Sequence, residues 1–187
     1  MKNLCIFTGV FYLNFMTKIV NSLFMLFAVI FNLSAQEQCQ RIFDEKSQTD
    51  ILVGTCNRDG LLTCVFAEDY NIEYPSYQPN DTVVEQIRGL IGDVRCVIVL
   101  GTWCGDSKEQ VPRFLKILDQ AKVNFKELEI LCVDRKKEAP GMDINTKYNI
   151  EKVPTFIFYR NDTELGRIIE TPQVTLEKDL LKIVSMK

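Results

Sequence analysis

Between Val94 and Leu100 every position but Arg95 is apolar, and most are β-branched. A run of this kind, bounded by Gly101, predicts a strand buried on both faces. The period then lengthens. Val111, Phe114, Leu115, Ile117 and Leu118 fall on one side of a helix that runs to about Lys122, with Pro112 inside it and expected to kink the axis. A second buried strand is read at 128–133, a short helical piece near 144–148, a strand at 153–159 and a hairpin turning at Asn161-Asp162. The last helix starts from Thr175, with Leu176, Leu180, Leu181, Ile183 and Val184 inward. Ahead of the first strand, Val83, Val84, Ile87, Leu90 and Ile91 share a helix face, capped by Asp81 and stopped by Gly92. This order of elements predicts an α/β fold: a mixed sheet with helices on both faces.

Residues 36–80 are less regular. Ile51–Gly54 reads as a short strand and Asn57–Gly60 as a turn. Phe66, Tyr70, Tyr74 and Tyr77 then interleave with Pro75 and Pro79 in a stretch expected to be rich in loops. Those aromatics are read as pinning an N-terminal extension to the core, with a groove beside a reactive site as the alternative. The division expected is a leader at 1–35, an extension at 36–80 and the main domain at 81–187.

The leader carries only Lys2 and Lys18 as charges. Met16-Thr17-Lys18, the apolar run Ser22–Leu33 and the small residues Ser34-Ala35 have the anatomy of a secretory signal peptide, with Met16 as an alternative start. Lys18, Asn14 and Asn21 break the apolar run to less than the ~20 residues that a spanning helix needs. Removing 35 of 187 residues leaves 152, and losing two lysines takes the net charge from −3 to −5. An acidic chain of this size fits one domain and no nucleic-acid partner.

The chain has no histidine, which excludes Ser-His-Asp and Cys-His catalysis and His-ligated metals. Beyond the leader, cysteines stand at 39, 56, 64, 96, 104 and 132 with no Cys-x-x-Cys pair, so neither a metal nor a cofactor is expected. Cys96 and Cys132 lie within strand patterns and read as small buried apolar residues. Cys104 is different. It falls where a strand hands over to a helix N-terminus, where unpaired amides and the helix dipole stabilise an anion. The thiolate is the nucleophile of sulfur exchange.

Trp103-Cys104-Gly105-Asp106-Ser107, with Lys108 and Pro112 following, resembles the active-site region of the thioredoxin superfamily. Val153-Pro154-Thr155-Phe156 resembles its cis-proline segment, and 161–167 its last hairpin. The motif, with Gly54, Cys56, Phe66, Tyr74 and Tyr77 upstream, also resembles an exported bacterial thioredoxin-like group. The resemblance implies a thioredoxin-like fold and Cys104 as catalytic nucleophile. It further implies a substrate strand held by Trp103, Gly105, Asp106, Val153, Pro154 and Thr155. Two positions depart from the family. Ser107, counted with Cys104 among the catalytic positions, replaces the resolving cysteine; its hydroxyl can hydrogen-bond a thiolate but cannot close a disulfide, and Ile98 replaces the buried carboxylate. Lys108 is expected partly to offset Asp106 beside the sulfur. Cys56 and Cys64 are candidates either for a structural disulfide with each other or for resolving Cys104. The function expected is thiol–disulfide exchange on protein or peptide substrates in the periplasm or cell envelope, a small thiol being one candidate donor. The alternative is a peptide-binding or holdase module without turnover.

Overall fold

The sheet is built outward from β3, Val94–Leu100, which is buried along nearly its whole length. Its residues alternate between two cores: Cys96, Ile98 and Leu100 face one, Val97 and Val99 the other. That is why the strand has no polar face in the sequence. The computed structural model describes residues 39–122 and 125–186, which lie in one compact unit. The leader read at 1–35 lies outside the described residues.

β3 pairs in parallel with β4 (Glu127–Cys132) and antiparallel with β5 (Thr155–Arg160), and β6 (Thr163–Ile169) closes that side. On the far side of β4 come β2 (Thr49–Cys56) and β1 (Gln40–Asp44), both antiparallel to their neighbours, giving the order β1-β2-β4-β3-β5-β6. The helices are α1 (Arg58–Leu61), α2 (Phe66–Ser76), α3 (Asp81–Arg88), α4 (Gly105–Ala121), α5 (Ile144–Tyr148) and α6 (Leu176–Val184). One face of the sheet is covered by α3, α4 and α6 through Ile87, Phe114, Leu118 and Leu180, with the Phe114 and Phe156 rings 4.6 Å apart. The other face is covered by α5, whose Ile144 and Tyr148 join Val97, Leu131 and Ile157. The expected mixed sheet with helices on both faces is the one observed. Among the described residues no helix is long and apolar enough to cross a membrane.

Three local expectations change. The stretch read as loop-rich is helical from Phe66 to Ser76, with Pro75 tolerated at its last turn. Tyr70 and Tyr74, one helical turn apart, stack at 5.2 Å and lie with Tyr77 against the core while Phe66 is fully buried. The seam between α2 and α4 is tied by Lys108–Asp69 at 2.8 Å, Arg113–Glu73 at 2.7 Å and a 2.7 Å bond from the Tyr74 hydroxyl to Asp119. β1 was not expected because Gln40–Asp44 offers only Ile42 and Phe43 as apolar residues. Finally, the cap of α3 is Asn80, whose side-chain oxygen accepts from the Val83 amide, and the helix ends at Gly89 rather than Gly92.

Candidate active site

Leu100 is the last residue of β3, and Gly101 turns the chain toward α4. Cys104 is the N-cap of that helix, with extended backbone (φ −93°, ψ 128°), and its carbonyl accepts the first helical bond, from Lys108 N–H. Its side chain makes no capping bond, so the sulfur stands beside amides that nothing on the Cys104 side chain satisfies. The residue is half-buried, and its Sγ–H donates to the Val153 carbonyl at 3.2 Å. The Val153–Pro154 peptide bond is cis. Thr155, which begins β5, is buried and donates its hydroxyl to the Lys152 carbonyl at 2.7 Å. Thus the loop before β5 and the start of α4, 49 residues apart in sequence, meet at one sulfur.

The neighbours of Cys104 separate by role. Gly105 is exposed, and nothing lies within 4 Å of where a Cβ would project. Asp106 is half-exposed and acts electrostatically on Lys152. Ser107 is fully buried, and its Oγ accepts from Gly101 N–H at 3.3 Å. Among the described residues its partner is therefore the turn that leads into the helix. Lys108 likewise turns away to Asp69 on α2, so the expected offset of Asp106 by this lysine is replaced by an interhelical ion pair. Ile98 sits in the larger core with no exposed surface, an apolar residue where the resemblance would place an acid.

Trp103 closes one side of the site. Its Nε1–H donates to the Val133 carbonyl at 3.0 Å, and the guanidinium of Arg135 lies 4.7 Å from its ring centroid. Arg135 lies in the charged segment 134–138, to which the sequence reading gave no role. Its partner, Asp44, is nearly buried at the end of β1 and receives a forked pair of bonds, Nε to Oδ1 at 2.9 Å and Nη2 to Oδ2 at 2.7 Å. The Arg135 bonds, then those from Ser47, hold the Asp44 carboxyl well below the usual carboxylate range. The bond to Asp44 in turn raises Arg135, which stays a cation. No signal in a single sequence pairs positions 44 and 135, because β1 itself was not legible.

The remaining cysteines correct one expectation. Cys56 is bonded to Cys39 and not to Cys64, which is free. The reason is the β1–β2 hairpin: its register sets Gln40 against Val53 and brings the start of β1 back over the end of β2, with the two cysteine Cα atoms 4.6 Å apart. Cys56 is thereby removed as a resolving thiol. Burial pushes the thiols of Cys64, Cys96 and Cys132 up, so none of them is primed for attack.

A mixed sheet with a cysteine capping its crossover helix, opposed by a cis-proline loop, is the architecture of a thioredoxin-type protein. The family model described as Thioredoxin matches residues 67–181, and the chain belongs to the thioredoxin family. It is similar to putative thioredoxin-5 of Dictyostelium discoideum, at 31% identity over 94 residues, which are 49% of this chain and 82% of that protein. It is also similar to thioredoxin H9 of Arabidopsis thaliana, at 26% identity over 83 residues. That match covers 44% of this chain and 54% of the plant protein, so the chain spans about half the length of this relative. Among solved structures, a Pseudomonas aeruginosa protein of unknown function aligns at 15% identity and a TM-score of 0.46, over 64% of this chain and 81% of that one.

Proposed function

We propose that this protein carries out thiol–disulfide exchange on protein or peptide substrates through the single nucleophile Cys104, as an exported protein of a bacterial cell envelope. The carrying observation is the Cys104 sulfur, half-exposed at the N-terminus of α4 and 3.2 Å from the carbonyl that precedes cis-Pro154. The signal-like pattern of residues 1–35 supports the location.

An ionised sulfur here stands at the amide end of α4, where unpaired N–H groups and the helix dipole stabilise an anion. It attacks one sulfur of a substrate disulfide; the mixed disulfide forms as the substrate's own bond breaks, and the departing sulfur leaves as a thiolate that takes up a proton. Ionisation also removes the Sγ–H bond to Val153, and the freed carbonyl can accept an N–H from an extended substrate strand. No sulfur stands at position 107, and Cys56 is bonded to Cys39. Release therefore falls to a second thiol, either the substrate's own or a small-thiol donor. That thiol attacks the substrate's sulfur of the mixed disulfide; a new disulfide forms on the substrate side as the bond to Cys104 breaks, and Cys104 leaves as a thiolate.

The test is capture. Disulfide-containing proteins should accumulate on wild-type Cys104 as adducts on non-reducing gels, be released by a small thiol, and vanish with Cys104→Ser. Ser107→Cys should add dithiol reductase activity and shorten the life of the adducts. Capture that survives Cys104→Ser would overturn the proposal. Peptide affinity without any capture would favour the binding-module reading, to which buried Ser107 and Ile98 also point.

A further inference from the structure

Scattered through the sequence at 39, 56 and 132, three cysteines are gathered by the fold into one cluster, with all three Sγ atoms within 4.8 Å of one another. Two form the disulfide described above; the third, Cys132, ends β4 and is a free buried thiol. The ladder between β2 and β4 sets Gly54 opposite Cys132 and Cys56 opposite Ile130. Gly54 has φ +97°, a conformation that glycine holds without strain, and it offers no side chain to cover the Cys132 sulfur. Cys39 is half-buried, which leaves the cluster an approach from solvent, while Cys56 and Cys132 form its floor.

We propose that these three cysteines form a reduction-gated site for a soft d¹⁰ cation such as Zn²⁺. While the disulfide holds, two of the three sulfurs have no thiolate to offer. Two electrons from a dithiol reductant and two protons convert it to two thiols. A divalent cation then displaces the three thiol protons and takes up three thiolates, at the roughly 2.3 Å usual for Zn–S bonds. Thiolates about 2.3 Å from one ion stand roughly 4 Å from each other; the two sulfurs bonded in the oxidised protein part on reduction to reach that spacing, and Cys132 already lies within 4.8 Å of both. The fourth position is left to water or a small ligand on the Cys39 side. Such a site would read the redox state of its surroundings by exchanging a covalent bond for a metal. It is independent of the chemistry proposed for Cys104.

Zinc titrations of the full chain, against a chromophoric chelator, test this with and without a non-thiol phosphine reductant. The reduced protein should bind one equivalent and the oxidised protein none. Cys132→Ala and Cys39→Ala should each weaken binding at least about tenfold, by analogy with the 10–100-fold lost when even outer-shell partners are removed. Cys39 lies at the entrance of the hairpin, so its variant keeps the test decisive if Cys132→Ala fails to fold. Cys64→Ala and Cys104→Ser should bind as wild type does. A cobalt-loaded reduced protein should show a sulfur-to-metal charge-transfer band that shrinks in the Cys132 variant. Equal zinc affinity of oxidised and reduced protein, or loss of binding on replacing Cys64 or Cys104 instead, would overturn the assignment.

Discussion

At the residue scale, the site depends on Trp103, and Trp103 depends on a neighbour that has no side chain. A Cβ at Gly101 would stand 2.6 Å from Cε2 of the Trp103 ring and 2.7 Å from its Nε1. The indole is rigid and pinned between the Val133 carbonyl and Arg135, so it cannot yield by a simple rotamer change. Gly101→Ala is therefore expected to cost about 1–3 kcal/mol, the usual range for overpacking, and to push the ring toward solvent. Trp103 is the chain's one tryptophan, so its fluorescence reports the movement directly. A red-shifted emission with a lowered urea midpoint is expected; an unchanged spectrum and midpoint would refute the contact. At this scale the sequence was readable where chemistry is local. Cys104, Ser107 and Pro154 announce themselves by neighbours in the chain. Arg135 and Lys108 do not, because each acts through a partner, Asp44 or Asp69, that only the assembled sheet and helices supply.

At the element scale, the strands that pack on both faces were legible and the half-buried ones were not. β3 is apolar at every position but Arg95, whereas β1 is polar at three of five positions and owes its place to pairing with β2. Helix α2 was hidden for a related reason: its aromatics recur at helical spacing, but Pro75 and Pro79 suggest a chain that cannot stay regular. The hairpin of β1 and β2 carries the disulfide, which closes a separation of 17 residues. A crosslink of that span stabilises by about 3 kcal/mol through the entropy it removes from the unfolded chain. Cys39→Ala should therefore lower unfolding stability by about that amount, and adding a reductant should destabilise wild type but leave the variant nearly unchanged. Equal sensitivity of the two proteins to reductant would show that the bond contributes little. The same hairpin delivers Asp44 to Arg135, so the variant should also loosen the ring stack at Trp103 and shift its emission.

At the scale of the whole molecule, one carboxylate ties the segment between α2 and α3 to the last helix. Glu177, on α6 and 3% exposed, accepts the Tyr77 hydroxyl at 2.7 Å and the Asn80 amide at 3.3 Å, joining the segment between α2 and α3 to the last helix. Burial pushes its carboxyl up, but the bonds from Tyr77, its own backbone amide, Thr175 and Asn80 outweigh that, and the net shift is downward. Burial and the bond to Glu177 push the Tyr77 hydroxyl up, above the ordinary phenol range, so the donor keeps its proton and the carboxylate is the group that titrates. A folded-state value below the unfolded one means that the unfolded chain binds the proton more readily on acidification. The stabilisation is thus fully present above the ordinary glutamate value of about 4.3 and is lost as pH falls through the lower, folded value. Asp44 is shifted in the same direction, so it adds a second contribution of the same sign that persists to lower pH. Hydrogen bonds to a charged group contribute about 1.5–3 kcal/mol, and Tyr77→Phe should lose roughly that at pH 7. Glu177→Gln should lose a similar amount and, unlike wild type, show a shallower fall in urea midpoint between pH 5 and pH 3. The slope that remains in the glutamine variant belongs to Asp44 and the other carboxylates, and Asp44→Asn should flatten it further. If wild type and Glu177→Gln lose stability in parallel as the solution is acidified, the carboxylate is not the group that couples this junction to pH.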